Sequence, residues 1–344
     1  MKKLAATLFL IGLIAVGALG QAPTLRIVTE TPGLPSDLFY GSVKVKPLRL
    51  RPGTNTPITI ADYDFFIQQQ YLDMLRRFPE AGLDGIFGTN DDPMKFYLDL
   101  INGYLNGAPC TPTNITCINS IRGIVGANFF RSPEFQRKGN YVMYLYMVSI
   151  GQRPVTPAEL PIKNDPALND RPDYGEFMTD LASISTPNDD PVLTDQKKSA
   201  LADAWMLRPQ IQALYPAAPT MSNAQFVQKL LDTAGVTNSN QSGLVNELNN
   251  STKTRAQVLR IIAESPEVDA KFYQQAYVTM EYIGYLRRKP EDCHNSANWS
   301  DGTPSSCGFI FHNKRFNDPN INPAHIQNIM LQGFIESPEY INRF

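Results

Sequence analysis

The residues best suited to bind a ligand are four acidic and amide side chains in one short, glycine-containing segment. They are Asp84, Asn90, Asp91 and Asp92. Clustered carboxylate and amide oxygens on a loop are the ligands that Ca²⁺ prefers, so this segment is a candidate calcium site. It is not an EF-hand, because the regular order of acidic residues and the terminal Glu are missing. A turn in which Asp92 caps a helix beginning at Pro93 explains the same residues, and we favour that interpretation.

The four cysteines fall into two pairs that are close in sequence. In an oxidising compartment an even number of cysteines favours disulfides, here Cys110 with Cys117 and Cys293 with Cys307. Each bridge would close a short loop between helices. The alternative is a zinc site with ligands from Cys293, His294, Cys307 and His312. We favour the disulfides because the chain has no Cys-x-x-Cys pair and the spacing matches no zinc-finger pattern.

Sequence motifs that predict catalysis are missing from this chain. It contains no Gly-x-Ser-x-Gly elbow, no His-Glu-x-x-His pair and no phosphate-binding glycine loop. The three histidines, His294, His312 and His325, all lie in the C-terminal part. The sequence therefore predicts a protein that is not an enzyme and that needs no cofactor. A secreted hydrolase is a weaker alternative, because its catalytic groups would have to be assembled from separate helical units.

The charge balance argues against nucleic acid as a partner. The 344 residues include 31 Lys and Arg and 33 Asp and Glu, which gives a formal net charge of −2. Domains that bind nucleic acid carry a basic patch or stripe that neutralises phosphates, and this sequence shows none.

Residues 1–20 have the pattern of a secretory signal peptide. Lys2 and Lys3 precede an apolar run over residues 4–18, and small residues follow before Gln21. An uncleaved membrane anchor is the competing interpretation, but the run is short and glycines interrupt it. We expect a secreted protein, outside the cell or at its surface, with the periplasm as an alternative. No later segment of the sequence is long and apolar enough to span a membrane after signal cleavage.

Two periodicities divide the mature chain. Residues 21–58 alternate apolar and polar side chains around Pro-Gly and Pro-Ser turns, which predicts a short β-rich segment. From residue 59 onward the apolar residues recur with helical spacing. We expect helical repeat units over 59–153, a Pro- and Asp-rich connector with a closing helix over 154–221, and further helical units over 222–344. The predicted fold is mainly α, an array of helical-bundle repeats with a short β-rich N-terminal segment.

One motif recurs three times and organises the helical part. It is Ser-Pro-Glu, at Ser132-Pro133-Glu134, Ser265-Pro266-Glu267 and Ser337-Pro338-Glu339. Ser suits the N-cap, Pro suits the first helical position, and Glu is favoured at the positive end of the helix dipole. Each copy predicts that one helix ends and another begins, so that four helical units fill the chain. The aromatic stripes after the first two copies are expected to lie in the core.

The first helical unit carries a longer pattern around its Ser-Pro-Glu motif. Its elements are Phe66, Tyr71, Leu75-Arg76-Arg77-Phe78-Pro79-Glu80, Gly82-Leu83 and Phe130-Arg131-Ser132-Pro133-Glu134-Phe135. This pattern resembles the bacterial domain of unknown function family 4214, a helical repeat related by pattern to the phycobilisome linker domain. The resemblance implies a secreted or surface-associated bacterial protein. It implies no catalytic residues, because that family has no assigned activity.

The chain also departs from the family pattern. Arg76 stands where the family has Gly in the turn, and residues 84–92 replace its usual Trp-containing helix start. Residues 44–54, followed by the loop between Cys110 and Cys117, resemble the C-terminal module of large exported proteins of soil bacteria.

These observations predict an exported, non-catalytic helical repeat protein. We expect it to act as a structural or protein-interaction module at the cell surface or outside the cell. Its partner would be a protein or another component of the cell envelope. The alternative function is a Ca²⁺-dependent adhesion or carbohydrate-binding module that uses the loop from Asp84 to Asp92.

Overall fold

The computed structural model divides the chain into two compact units, Met1–Ile58 and Thr59–Phe344. In the first unit it describes the backbone of residues 25–28, 36–40, 43–50 and 57–58. In the second unit it describes residues 62–77, 79–80, 93–101, 110, 114–151, 172, 174–186, 189–290, 308–316, 318 and 320–343.

The first unit contains an antiparallel sheet in which each strand pairs with its neighbour in sequence. The strands are β1 (Leu25–Val28), β2 (Ser36–Tyr40), β3 (Val43–Leu50) and β4 (Pro57–Ile58). In the register of the sheet, Leu25 lies opposite Tyr40 and Arg49 lies opposite Ile58. The pairing of β2 with β3 has one irregularity, between Asp37 and Phe39.

The second unit is mainly helical, as the periodicity predicts. Its first helices are α1 (Tyr63–Gln70) with a π-helical turn (Tyr71–Leu75), α2 (Pro93–Ile101), α3 (Ile115–Arg131), α4 (Pro133–Phe135) with a second π-helical turn (Gln136–Asn140), and α5 (Tyr141–Ser149). The next helices are α6 (Tyr174–Ile184), α7 (Pro191–Met206), α8 (Pro209–Leu214), α9 (Asn223–Ala234) and α10 (Gln241–Asn249). The last are α11 (Arg255–Ala263), α12 (Pro266–Leu286), α13 (Gly308–Phe316), α14 (Pro323–Glu336) and α15 (Pro338–Ile341).

All three Ser-Pro-Glu motifs begin a helix, which confirms that prediction. In each copy the Ser hydroxyl accepts a hydrogen bond from the backbone N–H three residues later, and Pro occupies the first helical turn. The bonds are Phe135 N to Ser132 Oγ (3.1 Å), Val268 N to Ser265 Oγ (3.4 Å) and Tyr340 N to Ser337 Oγ (3.1 Å). These caps satisfy N–H groups that have no partner within the helix.

Two further helices begin with a capping box. Ser222 and Gln225 bond reciprocally at the start of α9, and Thr254 and Gln257 do so at the start of α11. The helix α8 begins at Pro209 without a side-chain cap from Arg208.

Several helices end at or just before a residue with left-handed backbone conformation, among them the helices that precede Arg76, Gly151, Gly235 and Arg287. The φ angle is 54° at Arg76, 74° at Gly151 and 54° at Arg287. Gly adopts this conformation without steric cost, whereas a residue with a Cβ atom pays about 1 kcal/mol or more. The two arginines therefore hold a turn that favours Gly.

The first helical unit (α1 to α4) and the last helical unit (α12 to α15) contain the same ion pair. The second arginine of each Arg-Arg turn forms a bidentate pair with the Glu of the Ser-Pro-Glu motif that closes the unit. Arg77 bonds Glu134 through Nε at 2.8 Å and Nη2 at 2.7 Å. Arg288 bonds Glu339 through the same two nitrogens, at 2.6 Å and 3.0 Å.

The same two units also hold matching aromatic trios. The first trio is Tyr71, Tyr97 and Phe129, and the last trio is Tyr282, His312 and Phe334. Tyr71 meets Phe129 edge to face, with ring centroids 4.9 Å apart at 84°. Tyr282 meets Phe334 at 4.9 Å and 83°. His312 thus takes the place that Tyr97 has in the first trio.

A continuous apolar core joins these helices. The helix α3 packs along α14, where a Cβ atom on Gly123 would lie 3.1 Å from the carbonyl oxygen of Asn328. The core includes Trp205, whose Nε1 donates to Ser149 Oγ at 2.9 Å. Over the described part of the chain, no helix has both the length and the apolar character needed to span a membrane.

Candidate functional site

The residues predicted to bind Ca²⁺ lie outside the described residues. These residues are Asp84, Asn90, Asp91 and Asp92. Cys293 and Cys307 also lie outside them. Within the described ranges, no group of three or more His, Cys, Asp or Glu side chains is arranged to hold a metal ion.

Cys110 and Cys117 form a disulfide, with Cα atoms 5.8 Å apart. The bridge ties the segment before α3 to the first turn of that helix. Beside it, Asn114 caps α3 by accepting a hydrogen bond from Cys117 N at 3.1 Å. The role of this pair is structural, since it fixes the start of the helix that packs along α14.

The structure brings together a cleft that no sequence motif marks. Its volume is about 490 Å³, within the range of small-ligand sites, which is about 300–1,000 Å³. It is lined by Gln136, Arg137, Asn140, Tyr141, Tyr144, Lys198, Glu264, Pro266 and Asp269. These residues come from the second π-helical turn and from α5, α7, α11 and α12.

Two of the Ser-Pro-Glu motifs lie on either side of this cleft. After Ser132 and Pro133, the second π-helical turn supplies the two amides and the arginine of the lining. Across the cleft, Pro266 begins α12, and Asp269 lies in the first turn of that helix. A π-helical turn holds an extra residue and is frequent at functional sites. Here it places Gln136 and Asn140 side by side, with Asn140 Nδ2 donating to Gln136 Oε1 at 2.6 Å.

An ion network anchors the π-helical turn from its buried side. Lys138 is fully buried and lies 2.7 Å from Glu134 Oε1 and 3.3 Å from Asp189 Oδ1. Burial alone would raise the pKa of Glu134. Hydrogen bonds from Arg77 and Lys138 outweigh burial and hold that pKa below its usual value. The turn is therefore anchored by the buried ion pair between Lys138 and Glu134.

Each charged group of the lining already has a partner within the protein. Lys198 lies 2.8 Å from Glu264 and 4.8 Å from the centre of the Tyr141 ring. Arg137 pairs with Asp189. Asp269 accepts a hydrogen bond of 2.7 Å from the Tyr144 hydroxyl.

The tyrosines of the cleft are hydrogen-bond donors with neutral hydroxyls. Tyr141 donates to the carbonyl oxygen of Lys198 at 2.9 Å. Burial raises the pKa of Tyr141, and the charge of Glu264 adds to that effect. Burial also raises the pKa of Tyr144, strengthened by the hydrogen bond to Asp269. Their rings confirm the prediction that aromatic stripes belong to the core, because Tyr141 is 2% exposed and Tyr144 is 4% exposed.

Two buried polar side chains of α12, Glu281 and Tyr277, lie outside the lining of the cleft. Glu281 is fully buried, and among the described residues neither of its carboxylate oxygens has a hydrogen-bond partner. The hydroxyl of Tyr277, one helical turn earlier, also has none. Burial raises the pKa of Glu281 well above its usual value, because the charged form of the carboxyl group loses its hydration.

The polar lining of the cleft could not be identified from the sequence. Lys198 lies on α7, far along the chain from Glu264, which directly follows α11, and from Asp269 in the first turn of α12. The one usable signal was the Ser-Pro-Glu motif, which places Glu264 and Pro266 at a helix junction. Comparison with protein-family models, with curated proteins and with solved structures finds no match to this chain.

Proposed function

We propose that this chain is an exported, non-catalytic helical repeat protein that works as a structural or protein-interaction module. It acts at the cell surface or outside the cell, on a protein or another component of the cell envelope. It needs no cofactor. The observation that carries this proposal is that each charged side chain of the cleft has a partner within the protein, which leaves a polar surface suited to binding.

The pairing favours binding over catalysis for a physical reason. A general base or nucleophile must be free to exchange a proton with the substrate near neutral pH. Lys198 is held by Glu264, and the hydroxyl of Tyr144 is held by Asp269. Burial keeps the phenols of Tyr141 and Tyr144 protonated.

The repeat arrangement is part of the same proposal. The ion pairs of Arg77 with Glu134 and of Arg288 with Glu339 support it, as do the two aromatic trios. In this view, units of one ancestral type stack to bury a shared core, with a β-rich segment before them. The motifs of the first helical unit, which resemble those of family 4214, support the same proposal.

Export is supported by the signal-like pattern of residues 1–20 and by the disulfide between Cys110 and Cys117. Disulfides persist in oxidising compartments and are rare in the cytosol. The test is to express the full chain with its own N-terminus in a bacterium and to sequence the exported product by mass spectrometry. We expect an N-terminus at Gln21. Full-length protein confined to the cytoplasm would contradict the proposal.

The binding role is tested with a photo-crosslinking residue in place of Gln136, which lines the cleft. The matched control carries the same residue in place of Gln228, which lies on the exposed face of α9. We expect a defined envelope component to be crosslinked in the source organism from position 136 and not from position 228. Equal crosslinking from both positions, or turnover of a small molecule that Lys198→Ala abolishes, would refute a non-catalytic binding role.

A further inference from the structure

We propose that the cleft beside the second π-helical turn binds a neutral, polyhydroxylated ligand, that is, a saccharide. This inference rests on the proposed binding function and narrows its partner to a glycan of the cell envelope or its surroundings.

The charges of the cleft favour a neutral ligand. Its lining holds two cations, Arg137 and Lys198, and two anions, Glu264 and Asp269, so that the formal charges balance. The cations are already paired, Arg137 with Asp189 and Lys198 with Glu264. An anionic ligand would have to break one of these pairs and leave a partly buried charge without compensation, which is costly. A cationic ligand could meet Asp269 but would share the cleft with Arg137 and Lys198, and a neutral ligand avoids both costs.

The polar groups of the lining suit hydroxyl groups on the ligand. Among the described residues, Asn140 uses one N–H to bond Gln136, so its Oδ1 and second N–H remain available. Asp269 uses Oδ1 for the Tyr144 hydroxyl and keeps Oδ2 available as an acceptor. Planar amide and carboxylate groups can each bond two neighbouring hydroxyls, which is the pattern that a sugar ring presents.

The position of these groups is fixed before any ligand binds. Asn140 is 6% exposed and Lys198 is 7% exposed. The cap from Ser132 and the ion pair of Lys138 with Glu134 fix the π-helical turn that carries Asn140. Pre-organised polar groups lose little conformational freedom on binding, which is required for a weakly hydrophobic ligand to bind at all.

The lining also argues against a peptide as the ligand. Peptides bind through apolar side chains that enter matching pockets. The lining includes no Leu, Ile, Val, Met or Phe, and its apolar atoms belong to Pro266, to two tyrosines and to the methylene groups of the long side chains. Such surface matches the C–H face of a sugar ring better than an aliphatic anchor. The volume of about 490 Å³ accommodates a small ligand and no folded domain.

The test is ligand-observed NMR on the full mature chain, with cellobiose, maltose and N,N′-diacetylchitobiose as neutral probes. Glucuronate and glucosamine serve as charged counterparts. We expect saturable binding of at least one neutral disaccharide with a Kd of about 1 mM or below, and much weaker binding of the charged sugars. Absence of saturation by all three neutral disaccharides at about 50 mM would overturn the proposal.

Substitutions in the lining test whether the saccharide binds in the cleft. We expect Asp269→Ala, at an exposed side chain, to weaken binding about tenfold, equivalent to about 1.4 kcal/mol. Asn140→Ala should do the same, and its melting temperature shows whether this more buried variant folds. Gln228→Ala on α9 is the matched control and should leave binding unchanged. Equal binding by Asp269→Ala and the control would place any saccharide elsewhere and refute the cleft as its site.

The outcome separates this inference from the proposed function. If position 136 crosslinks an envelope protein while no disaccharide binds, the saccharide proposal fails and the interaction module stands. If a disaccharide binds but the chain is retained in the cytoplasm, the saccharide proposal stands and the exported role fails.

Discussion

Gln70 and Glu281 lie at equal distances before the ends of two helical stretches, and among the described residues only the side chain of Gln70 has hydrogen-bond partners. Arg76 and Arg287, which have left-handed backbone conformation, end the two stretches. Gln70 lies as far before Arg76 as Glu281 lies before Arg287. Gln70 Oε1 accepts a hydrogen bond of 2.7 Å from the Tyr285 hydroxyl, and Gln70 Nε2 lies 3.4 Å from the Tyr340 hydroxyl.

The same alignment of the two stretches explains why the Glu281 carboxylate has no hydrogen-bond partner in the described part of the chain. In the first helical unit, Met74 and Phe135 stand at the positions of Tyr285 and Tyr340, and neither carries a hydroxyl group. Both helical stretches therefore carry a polar residue at this position, whereas the tyrosine hydroxyls that bond Gln70 have no counterpart in the first helical unit. A buried polar group without a partner typically costs about 1–3 kcal/mol.

We predict that Glu281→Gln stabilises the protein at neutral and alkaline pH. The folded state raises the pKa of Glu281 above the ordinary value of 4.5, so the folded state binds more protons than the unfolded state above that pH. The contribution of Glu281 to the free energy of unfolding is therefore complete below about pH 4.5. As the pH rises above that value, this contribution falls by about 1.4 kcal/mol per pH unit. Urea unfolding at pH 5 and pH 8 measures the difference.

The advantage of Glu281→Gln over the wild type should grow between pH 5 and pH 8. Glu267→Gln is the control, because this residue is partly exposed on the same helix. A constant difference between Glu281→Gln and the wild type across this range would show that Glu281 ionises freely in the folded protein.

We predict that His312 makes the free energy of unfolding depend on pH in the opposite sense, at acidic pH. Burial lowers its pKa from 6.5 to about 4, and Arg315 adds to that effect. Between these values the unfolded state binds more protons, so the free energy of unfolding falls as pH decreases from 6.5 to 4, by about 3 kcal/mol. His312→Tyr, which copies Tyr97 of the first aromatic trio, should lose less stability over that interval. Thermal unfolding at pH 6.5 and pH 4 tests this.

His325→Gln is the control for that measurement, since the His325 side chain is exposed on α14. It should retain the pH dependence of the wild type. If His312→Tyr and the wild type lose equal stability between pH 6.5 and pH 4, the histidine is not the group responsible.

The two Arg–Glu pairs have the same bidentate geometry but differ in burial. Comparing them therefore shows how burial alone changes the contribution of such a pair to stability. The side chains of Arg77 and Glu134 are 14% and 8% exposed, whereas those of Arg288 and Glu339 are 36% and 44% exposed. We predict that Arg77→Ala destabilises by about 3–5 kcal/mol, because it leaves the buried Glu134 without its main partner. Arg288→Ala should cost about 1 kcal/mol or less. Denaturant unfolding of both variants provides the comparison, and equal losses would contradict it.

Arg76→Gly should raise the free energy of unfolding by about 1 kcal/mol, because Gly removes the steric cost of a left-handed φ angle. Arg76 is exposed. Arg287→Gly should gain less, because Arg287 also lies 3.5 Å from Asp73 and over the Tyr174 ring. The reverse change, Gly151→Ala, should destabilise by a similar amount. Chemical denaturation of the three variants tests the order, and a loss of stability in Arg76→Gly would refute it.

Calcium should leave the protein unchanged if it works without a cofactor. We predict that saturating Ca²⁺ shifts the melting temperature no more than Mg²⁺ does. A rise specific to Ca²⁺ that Asp91→Ala abolishes would instead establish the calcium-dependent alternative, and Asp232→Ala on α9 would serve as the control substitution.

Helix boundaries were predictable from this sequence because they are decided locally. Ser132, Ser265 and Ser337 each cap a helix as their motif requires, and Arg76 marks a turn in which Gly is usual. The π-helical turn of Gln136–Asn140 was not predictable, since one extra residue in a helix leaves no clear trace in the apolar spacing. The cleft was not predictable either. Lys198 and Glu264 meet only because α7 and α11 pack side by side, and that arrangement is decided by the whole core.

The continuity of α12 has a mechanical consequence. Its first turn contributes Asp269 to the cleft, and its last turns hold Glu281 and Tyr282 of the last aromatic trio. Over 21 residues the helix is about 30 Å long, with hydrogen bonds running along its full length. We expect α12 to move as one body, so that a displacement of Asp269 at the cleft also displaces Tyr282 in the last aromatic trio.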